Sequence, residues 1–177
     1  MNNEVIYNYG LAMFELAKEE NQIDIFYDQL NDIEKSLEEE QGFLKVLNSY
    51  SLDNEIKYKL IDEVFGDFNQ QIINFLKVSS KNHVVNKIIN IINAYKAIYY
   101  DTKKIKIGYI YTSQSISLEQ INELQKAYSH KYQINLKLKN RIDPKLLGGI
   151  KIVIDDIVVD NTILNQIEKL KESILND

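Results

Sequence analysis

Near Lys104 the spacing of apolar residues switches from three-and-four to two, so the chain cannot be a single layer of one kind. Upstream, from residue 5 to about 103, apolar positions recur at the helical period. Ile23, Phe26, Tyr27, Leu30, Ile33 and Leu37 make one stripe with polar residues behind it. Val85, Ile88, Ile92, Tyr95, Ile98 and Tyr99 make another, widened by Ile89 and Ile91. Shorter periodic pieces lie at 5–20, 42–48, 52–65 and 69–80. Ser51 is placed to cap the fourth helix with its hydroxyl, and Gly66 to close it in the left-handed conformation. Short links between amphipathic helices predict an N-terminal all-α six-helix bundle over residues 1–104.

Downstream, KIKIGYIYT alternates, with Ile105, Ile107, Tyr109 and Tyr111 on one face. Ser117 and Gln120 have the spacing of a capping box, opening a helix that turns Ile121, Leu124 and Tyr128 inward. QINLKLKN alternates again, setting Ile134, Leu136 and Leu138 against Asn135, Lys137 and Lys139. Strands are expected at 150–154 and 157–159 about a turn at Asp155 and Asp156. A last helix carries Leu164, Ile167, Leu170 and Ile174 on one side. The order β-α-β-β-β-α predicts a small α+β C-terminal domain over 105–177.

Composition narrows the functions open to such a chain. Its 177 residues carry a formal net charge of -5, with no basic block to serve as the footprint of a nucleic-acid partner. The absence of cysteine removes disulfides, thiolate nucleophiles and cysteine-ligated zinc together. MNNEVIYNYG meets an acid at Glu4, and no basic stretch leads into a long apolar run. No window approaches the roughly 20 apolar residues of a bilayer span. The expectation is a cytosolic protein with no direct membrane insertion.

One passage invites a chemical reading. DPKLLGGIKIVIDDIVVD, from Asp143 to Asp160, holds the only proline and two of the six glycines. A phosphate cradle needs its glycines between a strand and a helix N-terminus, whereas Gly148 and Gly149 lead into a strand with no GK[ST] or GxGxxG nearby. They read instead as a device that lets backbones lie close, after Pro144 has set the approach. His83 and His130 fall in different domains and lack metal-ligand spacing. Asp155 and Asp156 are consecutive, so their side chains diverge and suit a turn. Glu38, Glu39 and Glu40 read as the solvated end of a helix. No serine or threonine sits in a nucleophile setting. Neither catalytic residue, cofactor nor metal is expected. The tyrosines, Tyr7, Tyr9, Tyr99 and Tyr100 among them, are either core packing or part of a groove for a partner helix.

Three stretches resemble one family, the delta subunit of rotary ATP synthases, related to the mitochondrial oligomycin-sensitivity-conferring protein. Tyr9 to Ala17, YGLAMFELA, is similar to the family's opening YAxALFELA. INFLKVSSKNH, Ile73 to His83, is similar to its asparagine-phenylalanine-leucine helix. DPKLLGGIKIVIDDIVVDNTILNQIEKL, the most specific, is similar to DPSLIGGVVVRIGDxVIDGSVRGRLExL. Departures are Asn161 and Thr162 for glycine and serine, Leu164 and Gln166 for arginines, His83 near a customary arginine, and Asp155 for the glycine of the turn.

The resemblance implies a non-catalytic stator subunit of a proton-translocating ATP synthase, on the cytoplasmic face of a bacterial cell membrane. It also implies that residues 1–104 receive the N-terminal helix of an alpha subunit and that 105–177 grip the peripheral-stalk b subunits. The isolated chain is then expected to be a monomer. Candidate head-binding residues are Tyr9, Met13, Phe14, Phe26, Phe75 and Val78. Asp143, Gly148, Gly149 and Asp160 are the structural motif. A helical adaptor unrelated to ATP synthesis, or a small enzyme with a phosphate site at Gly148 and Gly149, would be the rival readings.

Overall fold

A computed structural model describes residues 3–175. The chain forms two compact units, Met1–Thr102 and Lys103–Asp177. The first contains α1 (Asn3–Glu19), α2 (Ile23–Glu39), α3 (Gln41–Leu47), α4 (Asn54–Phe65), α5 (Gln70–Lys81) and α6 (Ile88–Thr102), with a 3-10 turn at Val85–Lys87 before α6. Its core follows the two long stripes. Phe26, Leu30, Ile33 and Leu37 of α2 are buried, as are Ile88, Ile91, Ile92 and Tyr95 of α6. Met13, Phe14 and Ala17 of α1 join them, with Ile61 and Phe65 of α4 and Ile72, Ile73 and Leu76 of α5. Gly10 brings α1 against α6, since a Cβ there would stand 2.7 Å from the Ala94 Cβ and 2.9 Å from the Tyr95 backbone nitrogen.

Tyrosines tie α2 to α6. The rings of Tyr27 and Tyr99 stack at 4.2 Å. Tyr95 donates to the Ile23 carbonyl at 2.9 Å, Tyr99 to Asp24 Oδ1 at 2.7 Å, and the hydroxyls of Tyr27 and Tyr100 meet at 2.8 Å. Lys96, itself buried, pairs with Glu34 along the same seam. Burial pushes the Tyr95, Tyr99 and Tyr100 hydroxyls well above the usual tyrosine range, helped at Tyr99 by the hydrogen bond to Asp24. Tyr99 and Tyr100 are therefore packing residues, which decides between the two readings of these tyrosines.

Two expectations at α4 need correction. Ser51 does not cap the helix: its amide and hydroxyl both meet Ser49 Oγ, at 3.2 and 3.1 Å, and α4 starts later, behind Asp53. Gly66 stays right-handed, at φ -59°, because the chain makes one further tight turn there, Phe68 N–H donating to the Phe65 carbonyl at 3.0 Å. Asn69 then opens α5, accepting from Gln71 N–H at 2.8 Å.

The second unit contains β1 (Ile105–Thr112), α7 (Leu118–Tyr132), β2 (Asn135–Ile142), β3 (Gly149–Ile154), β4 (Ile157–Thr162) and α8 (Ile163–Leu175). The sheet order is β2-β1-β3-β4, with β1 parallel to β2 and the other pairs antiparallel. Ser117 and Gln120 make the capping box at α7, with bonds of 3.2 and 3.0 Å. Ile121, Leu124 and Tyr128 pack on a core of Ile110, Leu136, Leu138, Ile152 and Ile154. The core side of β1 is thus the one bearing Gly108, Ile110 and Thr112, while Ile105, Ile107, Tyr109 and Tyr111 face the other way and stay half-buried.

The glycine pair occupies the entry to β3. Gly149 has φ +80°, and a Cβ on it would lie 2.3 Å from the Asn161 carbonyl oxygen and 2.8 Å from the Thr162 Cα. Only a residue without a side chain lets β3 approach β4 this closely. Gly149→Ala is expected to destabilise the C-terminal unit by about 2 kcal/mol or more, combining positive-φ strain with a backbone clash. Urea denaturation followed by the tyrosine signal measures it, and an unchanged midpoint would refute this account of the pair.

Candidate partner-docking surfaces

The motif residues converge where β4 becomes α8. Asp160 Oδ1 accepts from the Thr162 hydroxyl at 2.6 Å and from its N–H at 3.0 Å, and the Asp160 carbonyl accepts from the Asn165 side chain at 2.6 Å. The Thr162 hydroxyl oxygen then accepts from Asn165 N–H at 3.3 Å, which is the work of a helix N-cap. Thr162 thus supplies the hydroxyl of the customary serine, and Gln166 reaches the Asn161 carbonyl at 3.2 Å. On the other side Ile163 N–H donates to the Gly148 carbonyl at 3.1 Å. Asp143 holds the loop before the glycines, its N–H donating to the Thr112 carbonyl at 2.8 Å and its Oδ1 accepting from Lys145 N–H at 3.0 Å.

This junction launches α8 with its apolar side turned to solvent. Ile163, Leu164, Ile167, Leu170 and Ile174 are all exposed, Leu170 at 63% and Ile174 at 75%. Ile163, Ile167, Leu170 and Ile174 follow a four-three-four spacing, the seam of a coiled coil. Such a run of exposed large aliphatics marks an interaction site. Sequence reasoning found the stripe; its exposure depends on what the sheet leaves uncovered.

In the N-terminal unit the six candidates separate by depth. Met13, Phe14 and Phe26 are buried and pack inward. Tyr9 and Phe75 are half-buried and meet edge to face at 6.1 Å where α1 lies beside α5. Val78, on α5, is 48% exposed. Val5 and Tyr7 on α1 are exposed as well. His83 is half-buried at φ +55° with its ring stacked on Tyr50 at 3.9 Å. Asp155 and Asp156 are exposed in the β3-β4 turn, Asp155 pairing with Lys106 at 2.8 Å. Among the described residues no group of three or more His, Asp or Glu is placed to hold a metal ion, and no helix is long and apolar enough to cross a membrane.

Apolar helix surfaces turned outward in two units are of the kind that docking proteins carry. The chain's similarities agree. The family model described as ATP synthase delta (OSCP) subunit matches residues 5–174. A protein of Metamycoplasma arthritidis called ATP synthase subunit delta is 35% identical, over 98% of this chain and 97% of its own. A protein of the same name from Mycoplasma mobile is 32% identical, over 94% and 93%. A chain in the cryo-EM structure of the Toxoplasma gondii mitochondrial ATP synthase hexamer shares the fold, with a TM-score of 0.67 over 96% of this chain and 97% of that one, at 18% identity. The chain belongs to the ATP synthase delta (OSCP) subunit family, a non-catalytic part of the stator.

The Thr162 hydroxyl and N–H hold the Asp160 carboxyl below the usual aspartate range. A depressed folded value means that this group's stabilisation is complete above the unfolded value of about 3.9 and is lost as pH falls through the folded one. Asp160→Asn should therefore differ from the parent in urea midpoint at pH 6, and the difference should shrink toward pH 3. A pH-independent difference would show that charge has no part in the junction.

Proposed function

We propose that this protein works as a passive clamp in a proton-translocating ATP synthase, holding the catalytic head to the peripheral stalk against rotor torque. Residues 1–104, acting as one six-helix bundle, receive the N-terminal helix of an alpha subunit along α1 and α5. Tyr9, Phe75 and Val78 line that contact, and Met13, Phe14 and Phe26 support its floor. Residues 105–177 grip the b subunits through the α8 seam. The complex would place the chain on the cytoplasmic face of the bacterial membrane, and the isolated chain stays monomeric, because a seam of about three helical turns is small beside a stable dimer interface.

The observation that carries this reading is the heptad-spaced, exposed stripe of α8. It suits a helical partner of the same spacing, which is what a rod-like stalk would present. Capturing two partners on one chain makes the second encounter intramolecular and raises avidity by about 10² to 10⁴. Holding strength then comes from slow release at both ends, without chemistry.

Two measurements test the two ends separately. A synthetic peptide copying the alpha subunit's N-terminal helix should bind the full chain in calorimetry, and Val78→Asp should weaken it about tenfold or more. A flat titration would sink the head-binding assignment. Ile167→Ser combined with Leu170→Ser removes two exposed aliphatics, each worth about 1.5–3 kcal/mol when buried, so stalk binding should fall at least about 100-fold. Peptide binding and thermal unfolding should not change. Co-purification of b subunits undiminished by this double substitution would rule out α8 as the grip.

A further inference from the structure

The sheet of the C-terminal unit presents a second surface, on the side away from α7. A solvated face of an antiparallel or mixed sheet ordinarily carries polar side chains opposite its core. Here the central strand β1 turns Ile105, Ile107, Tyr109 and Tyr111 to that side, where all four are half-buried. Cross-strand register sets Tyr109 between Lys139 and Val153, and Tyr111 between Arg141 and Lys151. Val158, opposite Val153, is 56% exposed. The result is an apolar strip along the middle of the sheet with cations beside it.

The charge on this face runs against that of the molecule. Among the described strand residues Lys137, Lys139, Arg141 and Lys151 lie on this side with one acid, Asp160, on a chain whose net charge is -5. Lysines on β2, an edge strand, could be there to discourage edge pairing. That role leaves the isoleucines and tyrosines of the interior strand unexplained. Arg141 adds a detail: its guanidinium carbon lies 4.0 Å from the centre of the Tyr109 ring, a cation–π contact that keeps a planar donor at the edge of the apolar strip.

We infer that this face docks an acidic amphipathic helix, whose apolar stripe lies on Ile107, Tyr109, Tyr111 and Val153 while its carboxylates meet Lys139, Arg141 and Lys151. The site uses none of the α8 seam residues and does not rest on the stalk assignment. Single-stranded nucleic acid fits less well. Arg141 already occupies one face of Tyr109, so the ring is not an open stacking platform, and Ile107 and Val153 offer bases nothing specific.

The test uses the full chain and a labelled 18-residue synthetic helix with leucine on one stripe and glutamate elsewhere. Anisotropy should show saturable binding that weakens about tenfold or more with Lys139→Glu plus Arg141→Glu, and that weakens as salt is raised. Amide shifts in the unsubstituted chain should concentrate on β1, β2 and β3, which decides the matter even if the double variant folds poorly. Ile167→Ser with Leu170→Ser should leave the affinity unchanged. The inference is overturned if the peptide does not bind, if charge reversal in a folded variant has no effect, if the shifts map to α8, or if oligouridylate binds more tightly and displaces the peptide.

Discussion

One carboxylate governs how the C-terminal unit meets its surroundings. Asp160 holds Thr162 by hydroxyl and amide while its own carbonyl takes the Asn165 side chain, so the last residue of β4 and the first turn of α8 are fixed by the same few atoms. The glycine pair makes room for this, because β3 must pass within contact of the Asn161 carbonyl before the helix begins. With the helix start pinned, the four-three-four stripe emerges on a defined side of the unit. A looser junction would still form α8 but would leave its seam pointing in no fixed direction. For a docking surface, a defined direction lowers the ordering entropy lost on binding.

The N-terminal unit reaches the same end by a different route. Its long stripes supply burial, but α2 and α6 are oriented by polar atoms: Tyr95 to Ile23, Tyr99 to Asp24, Tyr27 to Tyr100, and Lys96 to Glu34. Buried hydroxyls left unbonded would each cost about 1–3 kcal/mol, so a slipped helix pair loses several at once. Apolar residues alone would tolerate slippage far more cheaply. Tyrosine is therefore used here as a fastener on the inside of the unit, while Tyr9 and Phe75 remain at its edge.

Much of this was legible from local spacing. The stripes of α2 and α6, the capping box at Ser117 and Gln120, and the backbone role of the glycines depend on residues within a few positions of one another. What could not be read depends on distant pairing. In β1 the residues of both faces include apolar ones, Ile105 and Ile107 against Ile110, and the inward side was decided by Leu136, Leu138, Ile152 and Ile154 on strands that join it from elsewhere. Likewise a stripe does not say which members lie at its centre: Met13, Phe14 and Phe26 went under while Tyr9 stayed at the rim. Ser51 failed as a cap for a local reason, since Ser49 two residues earlier offered it a nearer partner.

The departures from the family pattern show which parts of a surface a clamp can change. Thr162 retains the hydroxyl that caps α8, so that exchange conserves the bond that orients the helix. Asp155 takes a left-handed turn position, φ +48°, at a steric cost that glycine would avoid, and it pairs with Lys106 there. Gln166, still exposed, bonds back to the Asn161 carbonyl, and Leu164 has joined the exposed apolar stripe. Two arginines of the customary pattern have thus been exchanged for one local hydrogen bond and one aliphatic side chain. The α8 surface is made more apolar and less positive by the change. Under the proposal that α8 grips a partner helix, that helix should carry fewer acids facing α8, because an unanswered carboxylate in such a contact is desolvated without return.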